Sequence, residues 1–194
     1  MRTKTPPQRF AFLTIGVLLL TLCPPASAAK LPESSFSVLL GQKALNDDDW
    51  EPVGSQVEWG VIADLGRKDS VANLVISYLS SSDDSTQGSA DFTGETWELG
   101  LGIRKPFRLD TGLAPFVEVG AAYVDATLER RGVSPGENSD SAFGIWGGVG
   151  IGFAVGERVS VGALLRYTAA EVTLLGADRE AGGLHFGVTA GIGF

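Results

Sequence analysis

The sequence predicts an all-β chain, folded as an antiparallel up-and-down barrel of eight strands. Three observations carry this. After the first thirty residues, apolar side chains recur at every second position in eight separate stretches. A period of two marks a strand with unlike faces. The connections between the stretches alternate strictly between long and short. The positions of opposite parity are small or polar rather than evenly charged, so the two faces meet different surroundings.

The first element is not part of the barrel. Arg2, Lys4 and Arg9 precede the apolar run Phe10–Leu22, which ends at Pro24-Pro25 and the small residues Ala26-Ser27-Ala28. At about 1.5 Å per helical residue the run spans roughly 20 Å, short of a ~30 Å hydrocarbon core. Residues 1–28 are therefore expected to be a secretory signal peptide, and residues 29–194 the mature barrel domain. Cys23 invites a lipoprotein reading, but bulky Leu22 stands before it where a small residue is usual. Cleavage after Ala28 leaves 12 Lys+Arg against 23 Asp+Glu, a net charge of −11, and no cysteine. Such a chain cannot form a disulfide even where oxidation would permit one. Its acidity argues against nucleic acid, which is bound through clustered Lys and Arg.

The eight stretches follow in order. They are Phe36-Val38-Leu40, then Val57-Trp59-Val61-Ala63-Leu65, Ala72-Leu74-Ile76-Tyr78, and Trp97-Leu99-Leu101-Ile103. The second half reads Val117-Val119-Ala121-Tyr123, Phe143-Ile145-Val149-Ile151-Phe153, Val159-Val161-Ala163-Leu165-Tyr167, and Leu184-Phe186-Val188-Ala190-Ile192-Phe194. The intervening positions include Glu58, Gly60, Glu98, Gly100, Gly102, Glu118, Gly120, Gly144, Trp146, Gly148, Gly150, Gly162, Arg166 and His185. A soluble barrel turns its apolar face inward and covers the outside with charge. Here the second face suits a narrow, crowded lumen in which small residues leave room for Trp146. The apolar face should then point outward into lipid. Phe116 breaks the parity of its stretch and is expected to be a turn residue or a bulge.

Short links fall at 66–70, 105–111 and 156–158, and long polar links at 43–54, 80–93, 129–141 and 171–182. Short periplasmic turns, longer outer loops and an even strand number characterise outer-membrane barrels. Seven links of this pattern put both chain ends on the periplasmic side. With directions so assigned, Trp59, Tyr78, Trp97, Tyr123, Phe143, Tyr167 and Phe186 gather at the outer ends. Phe36, Phe107, Phe153 and Phe194 gather at the inner ends. These are the two aromatic girdles of a membrane interface. The last stretch, 184–194, is about 36 Å long, and tilted by about 45° it rises roughly 25 Å, the height of a lipid-facing band.

On the signal peptide, the glycine-rich hairpin Gly144–Tyr167 and the final strand ending at Phe194, the chain resembles the small eight-stranded outer-membrane β-barrel proteins of Gram-negative bacteria. These include the opacity-type and outer-membrane-protein-X-type barrels. The resemblance implies residence in the outer membrane among its lipid and lipopolysaccharide. It further implies that Phe194, Ile192, Ala190 and Val188 are read by the insertion machinery. It implies no cofactor, and the family contains both adhesins and enzymes.

Chemistry is sparse. His185 is the single histidine and points inward; catalysis would require a serine and an acid beside it, and Gly183-Leu184-His185-Phe186-Gly187 carries no such signature. Glu58, Glu98 and Glu118 are expected to form ion pairs with Arg166 and Arg104, since buried charges need partners. Asp47-Asp48-Asp49 with Glu51, and Asp83-Asp84, read as solvated loop tips; their spacing does not match a calcium loop. Arg130-Arg131 offers a contact to lipopolysaccharide phosphate or to a partner. The glycines of 144–152 lack the Lys-Ser/Thr of a phosphate loop. The expected role is a non-enzymatic barrel, with no catalytic, cofactor or metal residue assigned, acting structurally or through its outer loops. The rivals are a lipid A-modifying barrel enzyme, a soluble periplasmic lipocalin-like binding barrel and a small channel.

Overall fold

The structure, a computed structural model, describes residues 32–46, 50–67, 70–107, 109, 112–132, 136–174 and 176–194. The expected signal peptide and the Asp47–Asp49 run lie outside these residues.

Among the described residues ten strands form: β1 Ser35–Ala44, β2 Ser55–Leu65, β3 Asn73–Gln87, β4 Ala90–Pro106, β5 Leu113–Arg131, β6 Gly136–Ala154, β7 Val159–Ala169, β8 Glu171–Leu174, β9 Ala177–Glu180 and β10 Gly183–Gly193. Eight close into a barrel in the order β1-β10-β7-β6-β5-β4-β3-β2, and β8 and β9 make a separate hairpin. Every neighbouring pair is antiparallel. Closure comes from β1 and β10, in register from Ser35 opposite Gly193 to Ala44 opposite Leu184. In hydrocarbon an unpaired backbone edge is not tolerated, and this seam removes it.

The apolar parity faces out. Leu40, Val57, Leu101, Val119, Ile145 and Phe186 are each at least half exposed. The other parity lines the lumen and buries Glu58, Glu98, Glu118, Trp146, Arg166 and His185. That inversion relative to a water-soluble protein removes the lipocalin-like alternative. The lumen is less uniformly polar than expected, since Leu39, Ile62, Val75, Leu79 and Leu164 also point inward.

The outer girdle is a continuous row of rings across five neighbouring strands. Trp59, Tyr78, Trp97, Tyr123 and Phe143 follow one another with centroid separations of 5.8, 6.3, 5.5 and 5.3 Å. Tyr167 and Phe186 continue it on β7 and β10 as exposed side chains.

Several expectations need correction. The described residues of 80–93 and 129–141 are mostly strand rather than loop: β3 and β4 stay paired up to Gln87 opposite Ala90, and β5 and β6 up to Arg130 opposite Gly136. Outside the membrane a ladder no longer needs one greasy face. Side-chain bonds then replace it, with Thr86 and Thr93 donating to Asp91 and Asp84 at 2.8 and 2.6 Å. The 88–89 turn is tight because Gly88 takes a positive φ of 69°. The segment 171–182 contains the β8–β9 hairpin. Lys43 belongs to β1, not to a link. Phe116 is neither turn nor bulge. It pairs with Gly150 inside the β5–β6 ladder, and its ring fills the inward space that the missing side chain of Gly150 leaves.

Candidate functional site

Two regions position the chemistry: the lumen and the end from which the long connections project.

The deeper lumen is built around Trp146. Its Nε1 donates to the Ala121 carbonyl at 3.0 Å, and the Arg166 guanidinium lies 4.0 Å from the ring centroid. A Cβ on Gly102 or Gly120 would approach the same ring to 2.5 or 2.6 Å. The missing side chains of Gly102 and Gly120 therefore admit the indole, as the sequence suggests. Arg166 donates to Glu118 from Nε and Nη2, at 3.1 and 2.9 Å, and to Ser77 at 2.9 Å. Arg104 reaches Glu118 at 2.7 Å and Asp64 at 3.0 Å, and its guanidinium stacks 4.1 Å from the centroid of Phe116. Asn73 donates to Asp64 at 2.6 Å. A cavity of about 80 Å³ opens beside Asp64, Asn73 and Arg104 at the short-turn end.

The outer lumen holds a second cluster. Lys43 donates to Glu98 at 2.7 Å, Thr96 at 2.9 Å and the Ala181 carbonyl at 2.8 Å. His185 Nδ1 lies 2.6 Å from Glu58 Oε1, and Nε2 lies 3.2 Å from Glu98 Oε1. Thr168 donates to Glu98 at 3.0 Å, and Gln56 and Ser81 extend the network. Of the three expected glutamates, only Glu118 pairs with Arg166. Glu58 and Glu98 go to His185 and Lys43 instead, because β2 and β4 carry them nearer the long-connection end. Sequence reasoning missed Lys43 and Asp64. Both have the inward parity of their strands: Asp64 lies between Ala63 and Leu65 of the second stretch, and Lys43 is reached by extending the first stretch past Leu40. Both ring nitrogens of His185 face carboxylates, an arrangement that suits an ion bridge rather than activation of a nucleophile.

Above this cluster sits an apolar plug. Leu45, Trp50 and Val53 from the β1–β2 connection pack with Leu128, Val172, Leu174 and Ala181 in one buried cluster. The connection is held by Leu45 N–H to the Gly54 carbonyl at 2.8 Å. Trp50 Nε1 donates to the Glu180 carbonyl at 2.7 Å and so joins it to the β8–β9 hairpin. The hairpin is tied to β6 where the Thr173 amide donates to Asp140 at 2.7 Å. That amide, and then the Ser141 amide, hold the Asp140 carboxyl below its ordinary value. On the β3 extension, burial pushes the Asp83 carboxyl up. Arg131 pairs with Glu129 at 2.6 Å, and Arg130 lies 5.6 Å from the Phe92 ring, so neither is a bare cation.

A closed eight-stranded cylinder with a greasy exterior, aromatic girdle and ion-paired lumen defines an integral outer-membrane barrel. Residues 15–193 match the model of the outer membrane protein β-barrel domain, and the chain belongs to that family. Its place is accordingly the outer membrane. No curated protein matches the sequence. Solved structures share the fold. Neisserial surface protein A is 14% identical with a TM-score of 0.61, covering 83% of this chain and 96% of its own. The attachment invasion locus protein Ail of Yersinia pestis, in complex with the heparin analogue sucrose octasulfate, is 15% identical with a TM-score of 0.58, covering 84% and 98%. OprG of Pseudomonas aeruginosa is 11% identical with a TM-score of 0.54, covering 85% and 97%.

Proposed function

We propose that this protein is a sealed, non-catalytic barrel that offers its projecting β-sheet to a partner outside the cell. The observation that carries the reading is the outer mouth. A plug built on Trp50, Val53, Val172 and Leu174 covers an already filled lumen, while β3 to β6 run on past the girdle as a paired sheet. A wide solute path has no room, and the elaborated part of the molecule is its outer surface. Residues 1–28 are taken to be a removed leader, and the strand ending at Phe194 to be the insertion signal.

The partner's charge can be read from the same surface. Asp83, Asp84, Asp91, Glu95, Asp140 and Asp178 stand at the projecting end, against few cations. Electrostatic complementarity then favours a cationic polypeptide over a polyanion. A sulfated ligand of the kind bound to Ail would meet repulsion here. Purified barrel in lipid nanodiscs should be retained on immobilised polylysine at low salt, released by about 0.5 M salt as screening shortens the Debye length, and pass through heparin. Retention on heparin with none on polylysine would overturn this reading.

A further inference from the structure

The lumen's charges separate into two groups that balance differently. In the deeper group, Asp64 and Glu118 face Arg104 and Arg166, all within 3.0 Å of a partner, and the charges cancel. In the outer group, Glu58 and Glu98 face, among the described residues, only Lys43 as a fixed cation. The remaining ionisable side chain there is His185. Its β10 position pairs with Lys43 across the barrel seam on one side and with Arg166 of β7 on the other. Arg166 is committed to Glu118 and Ser77. Glu58 on β2 and Glu98 on β4 approach the two ring nitrogens at 2.6 and 3.2 Å. A neutral imidazole would turn a lone pair toward one of these carboxylates and leave a buried negative charge without compensation, which is costly. A doubly protonated ring donates from Nδ1 to Glu58 and sets its Nε2 in ion-pair contact with Glu98, without a directed hydrogen bond there.

We propose that the imidazolium of His185 is a proton-dependent latch at the outer half of the barrel seam. It ties β10 to β2 and β4 across the lumen. The neighbouring Lys43 ties β1 to Glu98 and, through the Ala181 carbonyl, to the plug. Loss of the proton leaves Glu58 and Glu98 facing Lys43 alone. The seam then loosens around Leu40–Ala44 and Leu184–Gly187, while Phe36–Val38 and Ala190–Ile192 stay paired. Adding or removing one proton thereby sets how firmly the plug is seated, with no change in the lipid-facing wall.

The test uses the full barrel in lipid nanodiscs. In the wild type, nitrogen NMR of the single histidine at pH 7 should show both ring nitrogens protonated. In His185→Gln, amide exchange should accelerate by at least about tenfold in the outer seam relative to the inner seam, as a local opening. The double variant His185→Gln with Glu58→Gln restores balance between Lys43 and Glu98, and should recover most of that protection. A neutral-tautomer spectrum at pH 7 would overturn the proposal even if the variants fail to fold. Equal acceleration in both halves of the seam, or no recovery in the double variant, would overturn it as well.

Discussion

Trp146 occupies space that Gly102 and Gly120 leave empty, and Phe116 does the same over Gly150. These exchanges of volume let a narrow cylinder pack without a pore, since an eight-stranded barrel is just wide enough to be filled by its own side chains. They were legible in part. The glycine parity and the inward Trp146 follow from the period of two. Phe116 did not, because an aromatic next to the outward Val117 reads as a break in alternation until Ala114, Phe116 and Glu118 are counted on one inward row. The partner of each ion was also hidden. Parity says that Glu58, Glu98 and Glu118 point inward, but which cation each meets depends on register and height in the barrel. On the outside the prediction is simple. Val149 is half exposed on β6, about midway between the girdle residues Phe143 and Phe153. Val149→Arg should cost about 2–4 kcal/mol at the bilayer midplane. Urea titration of the folded fraction in vesicles checks it, and an unchanged midpoint would contradict a lipid-facing position.

At the scale of elements, link length located the long connections but not their content. Within the membrane a strand must have unlike faces, and the alternation shows it. Beyond the girdle the outward face of β3 to β6 meets water instead of lipid while Ala126 and Leu128 still turn inward onto the plug, so the outward apolar pattern fades while the hydrogen-bonded ladder continues. The β8–β9 hairpin is short enough to be invisible as a strand pair, yet it carries Val172 and Leu174 into the plug. Its tether to β6 titrates. The Asp140 carboxyl is lowered first by the Thr173 amide. The tether is therefore fully present above the ordinary aspartate value and is lost as pH falls through the lowered one, in the range below about 4. The Thr173 amide should lose its exchange protection in that range, and at neutral pH in Asp140→Ala. Protection at Ala181, whose amide bonds the Ala170 carbonyl at 2.8 Å, should persist in both cases. A Thr173 amide indifferent to both changes would show that the tether holds nothing.

For the whole molecule, the sequence predicts the barrel, its strand number and its sidedness because each is a consequence of the solvent. Lipid demands closure and an outward greasy band, and the two aqueous sides demand different connections. The proposed role at the cell surface rests on charge and on the projecting sheet, which sequence periodicity does not report. The central claim is that lipid touches the apolar parity while the other parity is sealed inside. The four tryptophans divide along that line. Trp59 is half exposed on the wall and Trp97 joins the same girdle, whereas Trp50 and Trp146 are buried in plug and lumen. The most direct measurement is fluorescence quenching by brominated lipid in four variants that each keep one tryptophan. Strong quenching of Trp59 and Trp97, with Trp50 and Trp146 nearly untouched, is the predicted result. Quenching of Trp146 as strong as that of Trp97 would contradict the account.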